Sequence, residues 1–129
     1  MHELEAIIHA ADDAINREDL DAVMAFYAED ATLVVRPGLN ATGKDQIRKA
    51  FTAIAEHFNH SLHVTQDKLV VIEGGATALV LGKAELRAKD PSGAQVLIAR
   101  EATYVFTRDG SGAWRCAVDN SYGTGLLMA

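Results

Sequence analysis

Hydrophobic residues recur every three or four positions through the first part of the chain, which is the spacing of amphipathic helices. The first such pattern predicts a helix over residues 2–16. A second helix follows Asp19, which can cap it, and its predicted inner face includes Tyr27. A third is predicted after Thr42, read as its cap, and ends near residues 57–60.

The rest of the chain alternates apolar and polar residues, as strands with one buried face do. A short β-branched run and four longer runs separated by Gly-, Pro- and Asp-rich turns predict strands over residues 31–35, 63–72, 76–89, 95–107 and 114–122. Four strands joined by turns form an antiparallel meander, and the helices are available to cover one face. The pattern predicts a single α+β domain over residues 1–129. We expect a cone-shaped roll in which three N-terminal helices pack on a curved, mainly antiparallel sheet and enclose a pocket.

The inner face of the predicted sheet carries small side chains. The inward row of the second long strand is Ala78, Val80, Gly82, Ala84, Leu86 and Ala88. Such a row facing helices leaves volume for a ligand, unless large residues such as Met24, Phe51 and Phe58 fill it.

The outer face of the same sheet is also partly apolar, through Leu79, Leu81, Leu97, Ala99, Val105 and Ala117. A contiguous apolar patch there predicts a homodimer through the sheet. A bulge that reverses the alternation in mid-strand is the competing explanation.

Composition excludes several kinds of partner and site. The net charge of -6, from 18 acidic and 12 basic residues without a basic cluster, argues against nucleic-acid and anionic-membrane binding. The first residues resemble no signal peptide and no stretch is long enough to span a membrane. The single cysteine, Cys116, allows no intrachain disulfide and suits a cytoplasmic protein. We therefore expect the partner to be a small-molecule ligand or another protein.

Arg100 and Glu101 are adjacent in the middle of a predicted strand, so one of them faces the pocket. If the row that includes Tyr104 is inside, Tyr104 and Arg100 both enter the pocket as ligand-binding candidates, and Arg100 favours an anionic ligand. If the other row is inside, Glu101 becomes a general acid or base. The alternative for either residue is a purely structural ion pair with Asp12 or another charged side chain.

The last predicted strand ends in Asp119, Asn120, Ser121 and Tyr122, near the expected pocket mouth. Alternation places Asn120 and Tyr122 inside, where Tyr122 can donate to a developing oxyanion. Asp119 is a candidate base if the strand twists it inwards. The same residues are also ordinary turn chemistry before Gly123.

Three further residues complete the candidate site. Tyr27 is a core aromatic whose hydroxyl can reach the cavity, and Asp12 lies at the edge of the first helix's apolar stripe. His63 is a possible pocket residue at a strand start. Together with His57 and His60 it does not have the spacing of a metal site, so we expect no metal and no cofactor.

Four segments of the chain resemble a known superfamily. They are residues 16–21 (Asn-Arg-Glu-Asp-Leu-Asp), 26–32 (Phe-Tyr-Ala-Glu-Asp-Ala-Thr), 43–47 (Gly-Lys-Asp-Gln-Ile) and 104–115, which begins Tyr-Val-Phe and ends Gly-Ala-Trp-Arg. The resemblance is to the nuclear-transport-factor-2-like superfamily, in its SnoaL-like and ketosteroid-isomerase-like branch, and covers nearly the whole chain. It implies the same roll and a range of functions that includes isomerases, dehydratases, cyclases and binding proteins.

The resemblance does not extend to the ketosteroid isomerase site. The general base of that enzyme precedes the proline after the first strand, where this chain has Val35 and Arg36, and its oxyanion-hole tyrosine aligns with Ala11. We therefore expect an isomerase, dehydratase or cyclase that uses Asp119, Tyr122 and Glu101 or Arg100, with a ligand-binding or dimerisation domain as the alternative.

Overall fold

The computed structural model describes residues 2–128. Its helices are α1 (Glu3–Asn16), α2 (Leu20–Phe26) and α3 (Lys44–His57). Its strands are β1 (Tyr27–Arg36), β2 (Leu39–Thr42), β3 (His63–Gly74), β4 (Thr77–Lys89), β5 (Gln95–Arg108) and β6 (Trp114–Asn120). A 3₁₀ helix, Gly123–Met128, follows the last strand.

All six strands form one curved sheet in the order β2-β1-β6-β5-β4-β3, and the helices pack on one side of it. Strands β3 to β6 are the predicted antiparallel meander. Strand β1 pairs with β6 in parallel and with β2 in an antiparallel hairpin. The α+β roll predicted from the sequence is confirmed, whereas the short edge strand β2 was not predicted.

The helices begin where their capping groups lie. His2 caps α1, since its side chain accepts a hydrogen bond from the Leu4 amide at 3.0 Å while Glu5 accepts from the His2 amide. Asp19 caps α2 as predicted, accepting from the Ala22 amide at 3.2 Å.

Two details at helix ends differ from the prediction. Helix α3 begins after Gly43, and no side chain caps it, so the predicted capping role of Thr42 is wrong. The Thr42 amide instead donates to the Gln46 side chain at 2.9 Å. Tyr27 is not the last residue of α2 but the first of β1, where its ring still faces the core.

The core lies between the helices and the inner face of the sheet. Its centre is aromatic: the ring of Phe26 makes edge contacts with Tyr27 at 5.0 Å and with Phe106 at 5.5 Å. Burying a large apolar side chain of this kind stabilises the fold by about 1.5–3 kcal/mol. In β4 the inward row is the predicted one, since Ala78, Val80 and Gly82 are buried. The core is therefore filled at the middle of the sheet, and a cavity remains beyond it.

Two β-bulges change which side chains face the helices. The pairing of β3 with β4 skips Asp67, and the pairing of β6 with β5 skips Ala117. An extra residue in one strand reverses the alternation after it. Cys116 and Asp119 therefore both face inwards, although they are three positions apart.

The outer face of the sheet carries the apolar residues expected there. Leu79, Leu81 and Leu97 are 39%, 40% and 64% exposed. The register between β4 and β5 is continuous, so a bulge in these strands does not explain their position. At the C-terminus, Leu127 and Met128 are exposed and do not close the cavity.

Candidate functional site

A cavity of about 190 Å³ lies between the helices and the inner face of the sheet. Large apolar side chains from α3, the segment after it and strands β4 and β5 form its walls: Phe51, Ile54, Phe58, Leu62, Leu86 and Ile98. The small side chains of Ala84 and Ala102 on neighbouring strands leave room in its floor. Phe51 and Phe58 line this volume and do not fill it, so a cavity is present between the helices and the sheet.

Asp119 is a buried carboxyl group in this apolar cavity. The bulge at Ala117 turns it inwards, level with Tyr104 on β5 and Leu33 on β1. The Tyr27 hydroxyl donates to its Oδ2 atom at 2.6 Å. Burial raises the pKa of Asp119 from 3.8 to about 6, while the bond from Tyr27 acts in the opposite direction. At neutral pH the group is mostly ionised and is a stronger base than an exposed aspartate.

Asp12 is a second buried carboxyl group, which α1 presents to the same cavity. Burial raises its pKa from 3.8 to about 7; the nearby Gln66 side chain lowers it, and the negative charge of Asp119 raises it. Its Oδ2 atom has no hydrogen-bond partner among the described residues. Because the two carboxyl groups influence each other, they titrate as a pair. The Tyr27 hydroxyl stabilises the charged form of Asp119, whereas the buried Oδ2 atom of Asp12 has no such donor, so the geometry favours the negative charge on Asp119.

Tyr104 adds a neutral hydroxyl beside these acids. The Gln66 side-chain amide donates to this hydroxyl at 3.0 Å, so the tyrosine's own proton remains available to a molecule in the cavity. Burial, followed by the charge of Asp119, raises the pKa of Tyr104 well above its ordinary value of 10.0. The group is therefore a hydrogen-bond donor at any physiological pH.

Arg100 supplies a positive charge to the cavity from β5. Its guanidinium carbon lies 4.6 Å from the centre of the Tyr122 ring, a cation–π arrangement. The Tyr122 hydroxyl donates to the backbone carbonyl of Val35 at 3.2 Å, which holds the ring in place. The cavity thus combines apolar walls, two acids, a tyrosine donor and an arginine.

A family model described as the SnoaL-like domain matches residues 8–115, most of the chain. The chain belongs to this family. The match places the chain in the superfamily that the sequence segments resemble. No curated protein matches the chain.

Solved structures share the fold of this SnoaL-like domain. An uncharacterized protein with a cystatin-like fold from Caulobacter vibrioides has a TM-score of 0.80 and 20% identity, with 92% of this chain and 85% of that chain covered. A ketosteroid isomerase-like protein from Erwinia carotovora atroseptica has a TM-score of 0.74 and 22% identity, with 90% of this chain and 89% of that chain covered. A nuclear-transport-factor-2-like protein of unknown function from Pseudomonas putida has a TM-score of 0.77 and 20% identity, with 92% of this chain and 82% of that chain covered.

Most of the residues singled out from the sequence meet at this cavity of the SnoaL-like domain. Asp12, Arg100, Tyr104, Asp119 and Tyr122 line it. Tyr27 lies directly behind Asp119, as the donor to its carboxylate. The row of β5 that faces inwards is therefore the one that includes Arg100.

Three of the singled-out residues lie elsewhere. Glu101 is exposed on the outer face opposite Lys83, because the inward row of β5 is the even one, so its interpretation as a pocket acid is wrong. The Asn120 side chain bonds to the Gly123 carbonyl and the Tyr122 amide, which is turn chemistry and not a pocket contact. His63 is exposed at the start of β3 and does not line the cavity.

Gln66 lines the cavity but was not singled out from the sequence. A signal existed, because Gln66 follows Val64 at a spacing of two and is a polar residue in the inward row of β3. Its contact with Tyr104 could not be inferred, because it depends on how three strands align.

Within residues 2–128, no group of three or more His, Cys, Asp or Glu side chains is placed to hold a metal ion. The three histidines that follow one another at spacings of three diverge. His57 packs on the ring of Phe58, and His60 contacts Glu18 at 2.7 Å on the surface. No helix in the described part of the chain is long and apolar enough to cross a membrane.

Proposed function

We propose that this SnoaL-like domain is an enzyme that moves a proton on a small, largely apolar carbonyl compound, as in isomerisation, dehydration or cyclisation. One observation carries the proposal: two buried carboxyl groups, Asp12 and Asp119, face the same apolar cavity from opposite layers of the fold. Buried acids without a cationic partner destabilise a protein, so their presence at a cavity favours a role in chemistry.

The two acids are suited to different roles. Asp119 accepts a hydrogen bond from the Tyr27 hydroxyl, which stabilises its charged form, so we assign it as the base. Asp12 has an Oδ2 atom without a partner among the described residues, and burial raises its pKa, so we assign it as the acid. Two carboxyl groups whose environments separate their pKa values divide acid and base work in this way.

The reaction begins when Asp119 removes a proton from the carbon next to the substrate carbonyl. The electrons of that C–H bond move to form an enolate, whose oxygen accepts a hydrogen bond from Tyr104 or a proton from Asp12. If the enolate is conjugated with a double bond, Asp119 returns its proton to another carbon. Alternatively, a β-hydroxyl group leaves as water after taking a proton from Asp12 or from the protonated Asp119, or the enolate carbon attacks a second carbonyl group, whose oxygen then takes that proton. These outcomes correspond to isomerisation, dehydration and cyclisation, and the same residues begin all three.

The experiment is hydrogen exchange in deuterated water, followed by proton NMR of 2-octanone and cyclohexanone. We expect the domain to accelerate exchange beside the carbonyl, and Asp119→Asn to reduce the rate by about 10²–10⁴-fold, the contribution typical of a general base. Asp13→Asn is the matched control, because Asp13 is exposed on the other side of α1. Undiminished exchange in Asp119→Asn would contradict the assignment, and binding without exchange would favour the alternative, a ligand-binding domain.

We also propose that two copies of the domain pair through the outer face of the sheet. The supporting observation is a continuous row of apolar side chains across four neighbouring strands, formed by Ile72, Leu79, Val105 and Val118 in register. Three of these, Ile72, Leu79 and Val118, are 39–52% exposed in the single chain. Apolar rows of this length are usually covered, and a two-fold axis would cover one row with its own copy. Sedimentation of the purified chain should show a dimer.

A further inference from the structure

Arg100 differs from other arginines of the chain in where its charge lies. Surface carboxylates neutralise Arg17, Arg48, Arg87 and Arg115. Arg100 instead extends into an apolar cavity and, within residues 2–128, has neither an ion pair nor a hydrogen-bond acceptor for its guanidinium. A half-buried charge of this kind destabilises the empty protein, and an anionic ligand would neutralise it.

The guanidinium is fixed in an orientation that leaves its edge free. Its face rests on the Tyr122 ring at 4.6 Å, and that ring is anchored by the hydroxyl bond to Val35 at 3.2 Å. Contact through the face does not use the N–H donors, which lie in the plane of the group. A planar fork of N–H donors matches the two oxygens of a carboxylate, with two parallel hydrogen bonds.

The charges in the cavity also fix the direction in which an anionic ligand binds. Asp119 lies beside Asp12 at one end, where its negative charge repels an anion, while Arg100 attracts the anion at the other end. Arg100 precedes Tyr104 by four residues on β5, and Tyr104 is level with Asp119. At about 3.3 Å per residue the two ends are about 13 Å apart along the backbone, before the reach of the side chains.

We propose that the substrate is an organic acid with an apolar body, whose carboxylate binds Arg100 while a carbonyl several carbons away meets Asp119 and Asp12. This deepens the proposed function and rests on it for the identity of the reacting end. The binding of the carboxylate by Arg100 does not depend on catalysis and can be measured without it. The apolar walls contact the carbon chain between the two ends, and the separation favours acids whose carbonyl lies several carbons from the carboxylate.

The test is calorimetric titration of the purified domain with hexanoate and with hexanamide, which has the same carbon chain without the charge. We expect hexanoate to bind at least about tenfold more tightly, as charged hydrogen bonds usually allow. Arg100→Met should abolish this preference while leaving hexanamide binding unchanged, which also shows that the variant is folded. Arg100→Lys should retain part of it, since it keeps the charge but loses the fork.

The matched control is Arg87→Met, which removes the same charge from the outer face of the neighbouring strand. It should bind hexanoate as the unchanged domain does. Equal binding of hexanoate and hexanamide, or a preference that survives in Arg100→Met, would overturn the proposal, as would a failure of hexanoate to bind.

The variant Asp119→Asn separates this proposal from the proposed function. It should bind hexanoate at least as tightly as the unchanged domain, because it removes a negative charge from the cavity, and yet fail in proton exchange. Hexanoate preference without exchange in the unchanged domain would refute the catalytic role alone. Exchange of neutral ketones without hexanoate preference would refute the carboxylate site alone.

Discussion

Replacing Asp12 by Asn should stabilise the domain at alkaline pH. The substitution keeps the shape of the side chain and removes the charge that the fold buries. The rise of the pKa of Asp12 from 3.8 to about 7 is equivalent to about 4 kcal/mol, because each pKa unit is worth about 1.4 kcal/mol. The new amide can donate to the Gln66 Oε1 atom, which is buried without a partner among the described residues.

The sign of the pH dependence follows from the raised pKa. Below pH 3.8 Asp12 is protonated in both the folded and the unfolded chain, so it is not a source of instability there. As the pH rises towards 7 the unfolded chain loses this proton more easily, and the folded state is progressively destabilised until about pH 7. The advantage of Asp12→Asn should therefore grow by about 3 kcal/mol between about pH 5 and about pH 8.5 and stay constant above that range.

The measurement is urea unfolding of both proteins at several pH values, because the difference between them cancels the other titrating groups. Asp13→Asn, on the same helix, is the control. It removes only an exposed ion pair with Arg17, worth less than about 1 kcal/mol. A difference between Asp12→Asn and the unchanged protein that does not vary with pH would refute the reasoning, since it would mean that Asp12 is not held in its neutral form.

Three further outcomes are expected. Tyr27→Phe removes the 2.6 Å bond that lowers the pKa of Asp119, so the acidic limb of the pH–rate profile should move upwards from about pH 6, and urea unfolding should show a loss of about 1–3 kcal/mol. Gly123→Ala should destabilise the domain by more than about 1 kcal/mol in thermal unfolding, because φ is +53° there and the new Cβ would lie 2.5 Å from a carbonyl oxygen of β5. Gly110→Ala, with no such neighbour, should be near neutral. Leu79→Lys should convert the proposed dimer to a monomer in sedimentation without lowering monomer helicity; an unchanged sedimentation coefficient would contradict the proposed interface.

The sequence pattern predicts those parts of the fold that depend on neighbours along the chain. The helical spacing of α1 and the alternation of β4 each involve residues a few positions apart, and each is found in the structure. The hairpin strand β2 was missed because its four residues are too few to show a period. The parallel pairing of β1 with β6 was missed because nothing local records which distant strand lies alongside.

The residues of the candidate site also divide into those that local alternation predicts and those that depend on the pairing of strands. On β5 the register against β4 is unbroken from Gln95 to Thr107, so only two alternatives existed, and the choice of the inward row decided that Arg100 faces the cavity. On β6 the same rule placed Asn120 inside, and the bulge at Ala117 reversed it, bringing in Asp119. A bulge is defined by the register of two strands, and its sequence resembles that of any strand.

That bulge also explains why a carboxyl group can occupy this position. A regular β6 would bury the apolar Val118 and expose the charged Asp119, which is the arrangement that solvation favours. In the structure the opposite holds, because Val118 is 39% exposed and Asp119 is buried. The extra residue imposes the less favourable choice, and the Tyr27 hydroxyl offsets only part of the resulting desolvation. Local preference and global fold conflict at this residue, whereas they agree along most of the sheet. Such conflicts are expected at functional sites, so the bulge supports the proposed role of Asp119 independently of any pKa value.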